Sequence, residues 1–399
     1  MFPFAKYDTV VEYCKAIGSQ LVIQVNLESG TPEEAAEWVR YTNKEIGFYV
    51  KYWELGNEPY GDWDKSFRTA DQYAENLIEY SKAMKAIDPS IKLGASWGGD
   101  YFKDWDKIIL SRAGDYIDFL SIHWYPNHTS PGQQYAGKEH PEALDVAANS
   151  FKVPEITGRM KNMIEKYAPN KKGQIEFAFL EWDGTWDAPT YNPEPYAQGI
   201  INWSLANALF FAETFGQFIQ EGVTLATSYK FQETPFGYIR GHLTENPSWN
   251  VFWDQETIRP KALAHKMFSR HFGAFSIRSE LKNSPVYIKA PDWFDSSYSG
   301  RVPYVSAYAS KSEDGEKLFV MLINRNSFSE VYIKLEIKDF DFDRNVISRI
   351  LTGPEISSQN DGNPGIVNIS EDKIELDKNY FVFSCPAHSV VSLEFKRKE

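Results

Sequence analysis

Cysteine is almost missing. The 399 residues hold two, Cys14 and Cys385, at opposite ends of the chain, so neither a disulfide framework nor a thiolate metal site is supported. Long apolar runs are missing too: nothing approaches ~18 consecutive apolar residues, which excludes a membrane-spanning helix. The start, Met1-Phe2-Pro3-Phe4-Ala5-Lys6, has neither a charged leader nor an apolar stretch and is not a signal peptide, which leaves the compartment open. Positive charge is in deficit, with 42 Lys and Arg against 55 Asp and Glu for a net charge of −13. A phosphate backbone is repelled by such a chain, so nucleic acid is not an expected partner. No metal-ligand cluster, phosphate-cradling glycine loop or nucleotide fingerprint occurs. No metal and no cofactor are called for.

What is abundant is aromatic: 16% of residues, including 12 Trp and 23 Tyr. Most aromatics fill cores, but tryptophans near loops also suit stacking on the apolar faces of sugar rings. With 42% hydrophobic and 24% charged residues, the composition is that of an ordinary globular protein, long enough for two or three domains or one large barrel with an appendage.

Along the chain, residues 8–17 have the spacing of an amphipathic helix that stops at Gly18. Leu21 to Val25 is a short apolar strand interrupted only by Gln24, the pattern of a parallel strand covered on both faces. Thr31-Pro32-Glu33-Glu34 starts a helix reaching about Asn43: Thr31 caps, Pro32 takes the first position and Glu34 completes a capping box. A strand is expected over 48–55. Thr69-Ala70-Asp71-Gln72 opens a second capped helix, whose Tyr73, Leu77, Tyr80, Met84 and Ile87 form a one-faced core stripe. Strands then follow at 91–96, 117–122, 175–180 and 223–229, with helices near 102–112, 156–167, 195–220 and 259–271 between and after them. A polar loop at about 127–147 is long enough to be functional. The strand-helix alternation predicts a parallel α/β domain over 1–272. From 273 to 399 the pattern changes to short alternating runs (304–309, 318–323, 331–337, 390–395) between Gly, Asn, Asp and Ser turns, which predicts an antiparallel β-sandwich.

Chemistry gathers at the strand ends. The run Tyr52-Trp53-Glu54-Leu55 breaks at Gly56-Asn57-Glu58-Pro59, leaving Glu58 on a turn at a strand tip; residues 175–180 end in Glu181-Trp182-Asp183-Gly184. The bland reading of such a glutamate is a cap for the next helix. Two of them at C-terminal strand ends share the mouth of an α/β barrel, and a carboxyl pair suits glycoside hydrolysis: about 5–5.5 Å apart the reaction retains configuration, at about 6.5–9.5 Å it inverts. A third strand ends His123-Trp124-Tyr125. The Tyr125 hydroxyl could donate to an ionised carboxylate, and His123 could bond the sugar, orient the acid or serve only as a structural hydrogen bonder. Asn57 could bond a sugar 2-hydroxyl. Trp63, Trp97, Trp124, Trp182 and Trp186 lie where a sugar platform would be, or else pack beneath loops. Glu28, in the loop opened by Asn26, could reach the mouth, whereas Glu54, inside a strand run, is expected to be a paired structural charge.

At these residues the chain resembles the retaining glycoside hydrolases of the (β/α)8-barrel clan GH-A. Trp53-Glu54-Leu55-Gly56-Asn57-Glu58 matches the fourth-strand motif that carries the acid/base, and Phe179-Leu180-Glu181-Trp182 the seventh-strand motif that carries the nucleophile, with Asp183 where many relatives have Asn. Ser121-Ile122-His123-Trp124-Tyr125 is similar to the sixth-strand end, whose Tyr contacts the nucleophile. Val25-Asn26-Leu27 with Gly30-Thr31-Pro32-Glu33-Glu34-Ala35-Ala36 resembles the α-L-arabinofuranosidases in particular, and Cys385-Pro386-Ala387-His388-Ser389-Val390 the last strands of their sandwich. The resemblance implies a glycosidase with Glu58 as acid/base and Glu181 as nucleophile, acting on plant cell-wall polysaccharide or oligosaccharide. It implies Asn26, Glu28, Asn57, His123, Tyr125 and the tryptophans Trp97, Trp124 and Trp182 as sugar contacts. An arabinofuranosidase is the first expectation; an endo-β-glucanase, xylanase or β-xylosidase on the same scaffold, and a non-catalytic carbohydrate-binding remnant, are the alternatives. Counted from Glu58, the first two barrel strands have no counterpart. An open edge would expose backbone groups and apolar surface, so a homo-oligomer covering that side is expected.

Overall fold

The computed structural model describes residues 6–398 except 64, 100–101, 103, 127, 130–142, 188–200, 232–236, 240–241, 244–250, 253–256, 292–296 and 377–379. Most of the expected 127–147 loop, and the start of the helix expected from 195, lie outside the described residues. The chain forms two compact units.

One unit takes in Met1–His123, Thr157–Leu180 and Val223–Ala226. Its sheet runs β1 (Val22–Val25), β2 (Tyr52–Leu55), β3 (Lys92–Ser96), β4 (Phe119–Trp124), β5 (Glu176–Trp182) and β6 (Leu225–Ala226), in that spatial order. The pairs β1–β2, β2–β3, β3–β4 and β5–β6 are parallel. The connections include α1 (Tyr7–Ile17), α2 (Pro32–Val39), α3 (Ala70–Ile87) and α4 (Trp105–Ala113). Both capping boxes are formed, Thr31 with Glu34 and Thr69 with Gln72. The α3 stripe buries Tyr73, Leu77, Tyr80 and Met84, as its spacing requires.

The expected strand 48–55 is shortened at its start. After α2 the chain continues as a π-helix, Arg40–Ile46, closed by Gly47 at φ 69°. Asn43 then takes both backbone groups of Val50: its Oδ1 accepts the Val50 N–H at 2.8 Å and its Nδ2 donates to the Val50 carbonyl at 3.2 Å. A residue whose backbone is satisfied by a side chain has no groups left for a ladder, so the strand begins at Tyr52. At the last strand, only Leu225–Ala226 pair.

The other unit takes in Trp124–Ile156, Glu181–Gly222 and Thr227–Glu399. It contains α5 (Ala143–Ala148), α7 (Leu205–Glu221), α8 (Pro260–His271) and an antiparallel part; α6 (Val153–Tyr167) begins here and passes into the first unit. In chain order its larger strands are β7 (Phe275–Ile277), β8 (Val305–Lys311), β9 (Lys317–Asn324), β10 (Val331–Glu336), β11 (Asn345–Thr352), β12 (Asn368–Glu375), β13 (Tyr380–Cys385) and β14 (Ser389–Lys396). Six form one sheet, β7-β8-β9-β14-β11-β12, and β10 pairs with β13. Leu322, Leu393 and Val391 of the larger sheet share a core with Ile333 of β10 and Phe383 of β13.

The contacts do not divide at 272. Helix α7 is buried on every side from Leu205 to Ala212, packs on α8 and touches β9 and β14, so both helices group with the antiparallel strands. A buried ion pair adds to that packing: Arg325 Nη1 donates to Glu213 of α7 at 2.5 Å, and neither side chain is exposed. Cys14 and Cys385 are both free thiols and buried.

Candidate active site

The tips of β2, β4 and β5 lie at the C-terminal edge of the parallel sheet. The β2 tip is held by its backbone. Trp53 and Leu55 are wholly buried, and the Tyr73 hydroxyl donates to the Leu55 carbonyl at 2.7 Å and accepts the Ser96 N–H at 3.1 Å. Gly56 turns the chain at φ 73°, where a Cβ would sit 2.9 Å from Leu27 Cδ2; only glycine meets both demands. Asn57 is pinned through its carbonyl by Ser66 Oγ at 2.6 Å. Glu58 itself has φ 39°, a left-handed backbone that costs a non-glycine residue energy and is characteristic of functional positions.

The Glu58 carboxylate is partly exposed. Its Oε1 lies 2.9 Å from His123 Nδ1, and its Oε2 accepts the Trp63 indole N–H at 2.8 Å. Trp63 is 64% exposed and rests against Tyr60 and Phe102. Behind His123 stands Glu54, 3% exposed. Gln24, directly opposite Glu54 in the β1–β2 register, donates to Glu54 Oε2 at 3.1 Å and to Asn57 Oδ1 at 3.2 Å. At the β3 tip, the buried Asp106 carboxyl accepts the N–H groups of Gly98 and Gly99 at 2.8 and 3.1 Å; burial pushes its pKa up to about 7.

The β5 tip is built on aromatic packing. Trp182 is wholly buried and stacks on Phe211 with centroids 4.3 Å apart. On its N-terminal side Glu181 accepts the Tyr125 hydroxyl at 3.2 Å. Burial, then the nearby Glu181 and Asp183 charges, raise the Tyr125 pKa well above its ordinary value, so this phenol keeps its proton and donates. Tyr229 meets Tyr125 edge-on at 6.4 Å. On the other side Asp183 forms an ion pair with Lys261 in which both side chains are wholly buried. Asn207 Nδ2 and the Gly184 N–H complete that carboxylate's shell at 2.8 and 2.7 Å.

Several expected sugar contacts have protein partners in the structure. Trp97, Trp124 and Trp182 are 5%, 3% and 0% exposed; their faces are covered by Arg159, Phe210 and Phe211 respectively, so they support the tips and offer no platform. Asn26 is occupied with its own turn, its Oδ1 accepting the N–H of Glu28 at 3.0 Å and of Ser29 at 3.2 Å. Glu28 is a solvent-facing residue paired with Lys65 at 3.4 Å. Trp63 supplies what strand-end counting did not anticipate, an N–H donor to Glu58; the turn at Gly61 that brings it back was the available signal. Gln24, the single polar break in an apolar strand, was a signal of the same kind.

The chain is also similar to known proteins. The family model described as the N-terminal domain of glycosyl hydrolase family 79 matches residues 17–175. An intracellular exo-alpha-(1->5)-L-arabinofuranosidase of Halalkalibacterium halodurans is 25% identical over 361 residues, which is 83% of this chain and 66% of that protein. The crystal structure of the alpha-L-arabinofuranosidase of Thermotoga maritima in complex with arabinose superposes with a TM-score of 0.80 at 26% identity, covering 98% of this chain and 78% of that one. The chain is a relative of the arabinofuranosidase-type glycoside hydrolases of clan GH-A. A thermostable family 51 alpha-L-arabinofuranosidase from Thermotoga petrophila gives the same TM-score, 0.80, at 25% identity over 97% of this chain and 78% of that structure. The chain thus spans just under two thirds of the length of the Halalkalibacterium relative.

Proposed function

We propose that this chain is a retaining glycoside hydrolase that releases α-L-arabinofuranosyl residues from plant cell-wall polysaccharide or its oligosaccharides, with Glu58 as acid/base and Glu181 as nucleophile. The observation that carries the reading is the unlike setting of two carboxylates at C-terminal strand tips of one parallel sheet. Glu58 lies against an imidazole and an indole N–H on an open turn. Glu181 sits under a phenol that keeps its proton. The first setting suits a group that gives and takes a proton. The second suits a group that stays ionised to attack the anomeric carbon. In the reaction Glu58 protonates the leaving glycosidic oxygen while Glu181 forms the glycosyl ester; a water, deprotonated by Glu58, then hydrolyses it. The names of the relatives support arabinofuranose as the sugar.

The finer fold reading belongs here too. We infer that the parallel sheet corresponds to strands three to eight of a (β/α)8 barrel, with 1–272 as its segment and 273–399 as a sandwich. Among the described residues β1 pairs only with β2, and beside it a cavity of about 590 Å³ is lined by Ile23, Val25, Ala35, Trp38 and Trp53 among others. A second copy of the chain covering this edge is part of the proposal; a clean monomer by light scattering overturns that part.

The test of the activity is a panel of aryl glycosides and soluble polysaccharides, run on wild type and Glu181→Ala. The reading expects release of arabinose with retained configuration and its loss, on the order of 10⁴-fold, in the variant. Hydrolysis that survives the substitution removes Glu181 from its role. Sugar binding without turnover makes the chain a binding protein.

A further inference from the structure

We propose that Glu54 is a positioning residue for the acid/base: it holds a proton on the far nitrogen of His123 and thereby decides which partner carries the proton facing Glu58. The inference rests on the acid/base reading of Glu58 given above. Three side chains lie in a row. Glu58 Oε1 is 2.9 Å from His123 Nδ1, and His123 Nε2 is 3.7 Å from Glu54 Oε1. The His123 and Glu54 side chains are 5% and 4% exposed, against 23% for Glu58. The row therefore runs from a half-open carboxyl through a buried ring to a buried carboxyl. Glu54 is itself aimed: Gln24 holds its Oε2 at 3.1 Å, while Oε1, on the ring side, receives no hydrogen bond from any described residue.

Glu54 and His123 stand at an ion-pair separation, longer than a hydrogen bond. An electrostatic preference does not need the shorter distance, and it is strong where water is excluded. A neutral imidazole carries one N–H, and a carboxylate facing Nε2 favours that proton on Nε2. The other nitrogen then has only a lone pair, so the 2.9 Å contact with Glu58 requires a proton that comes from Glu58. Glu58 is thus kept as an acid in the resting site. When it protonates the leaving oxygen, the O–H bond of Glu58 breaks and the new O–H forms on the aglycone; when water attacks, its proton returns to Glu58. The opposite tautomer, with the proton on Nδ1, would donate to an ionised Glu58 and leave the first step without its acid.

The experiment uses Glu54→Gln, which keeps the shape and removes the charge, and reads the imidazole ¹⁵N signals of the full chain, with His123→Asn identifying the resonance. Wild type is expected to show Nε2 protonated and Nδ1 unprotonated, accepting the Glu58 O–H. The variant is expected to gain the Nδ1–H form. In the same preparations, hydrolysis of phenyl α-L-arabinofuranoside, which needs an acid, is expected to fall about tenfold or more in the variant. Hydrolysis of the dinitrophenyl analogue, whose leaving group does not need one, should change less than about twofold. A wild-type ring protonated on Nδ1, alone or together with Nε2, donates to an ionised Glu58 and overturns the proposal without any variant. So does an unchanged tautomer in Glu54→Gln, or an equal loss on both substrates. If wild type cleaves neither substrate, the acid/base reading fails, and the ¹⁵N measurement still decides whether Glu54 sets the ring.

Discussion

The tips of β2 and β5 present the same functional group by different means. At β2 the carboxylate of Glu58 stands on a left-handed turn, its position set by hydroxyl hydrogen bonds from Tyr73 and Ser66 to the carbonyls of the tip, with the exposed Trp63 indole on one oxygen and the His123 ring on the other. At β5 Glu181 is followed by two fully buried supports, the Trp182 stack and, one residue further on, the Asp183–Lys261 pair. The contrast follows the two tasks. A group that exchanges protons with substrate and water needs an open, polar setting, whereas a nucleophile needs a rigid one that keeps it ionised.

The comparison can be broken at its buried end first. Lys261→Met should strand the Asp183 carboxylate without its counter-charge and cost about 3–5 kcal/mol. Chemical denaturation should show this as a lower midpoint, and a variant as stable as wild type would mean that the β5 tip does not lean on the pair. Next in size, Tyr125→Phe removes the donor to Glu181. Loss of a hydrogen bond to a charged group is worth about 1.5–3 kcal/mol, so kcat should fall roughly 10- to 100-fold with little change in KM. At the open tip the corresponding change is milder. Trp63→Phe takes away an exposed N–H from Glu58 and should lower kcat by only about 2- to 10-fold; a larger effect than that of Tyr125→Phe would invert the contrast. Smallest is the pH effect of Asp106. Its folded pKa is about 7 against an ordinary 3.8, so between about pH 4 and 7 the folded state binds the extra proton, and the contribution of this group to stability declines as pH rises. In melting curves taken across that range, the advantage of wild type over Asp106→Asn should shrink toward pH 7. An advantage that grows with pH would mean that Asp106 is ionised and satisfied by its two glycine N–H groups.

Helix starts were legible because capping is local: Thr31 with Glu34 and Thr69 with Gln72 need only three residues of spacing. The β strands were legible as apolar runs, with an error at 48–51 because Asn43, seven residues away from Val50, takes the backbone groups a ladder would have used. The Tyr125–Glu181 contact was implied by the family resemblance of the strand ends and is present in the structure. For Trp97, Trp124 and Trp182 the structure chooses between the two readings, platform or packing, that the sequence left open. A strand-end position says where the Cα lies, and whether the ring faces solvent or core depends on neighbours such as Phe210 and Phe211, which arrive from a helix far along the chain.

By itself the sequence determined the alternation of strands and helices, the run of antiparallel strands late in the chain, and the two glutamates at strand ends, since each follows from short-range periodicity and turn chemistry. Only the tertiary structure decided which groups those glutamates meet. Glu54, His123, Trp63 and Gln24 come from three strands and a loop, and their spacing is set by strand register and by Gly56. No local pattern encodes a distance of a few ångströms between residues 65 positions apart, as Glu58 and His123 are.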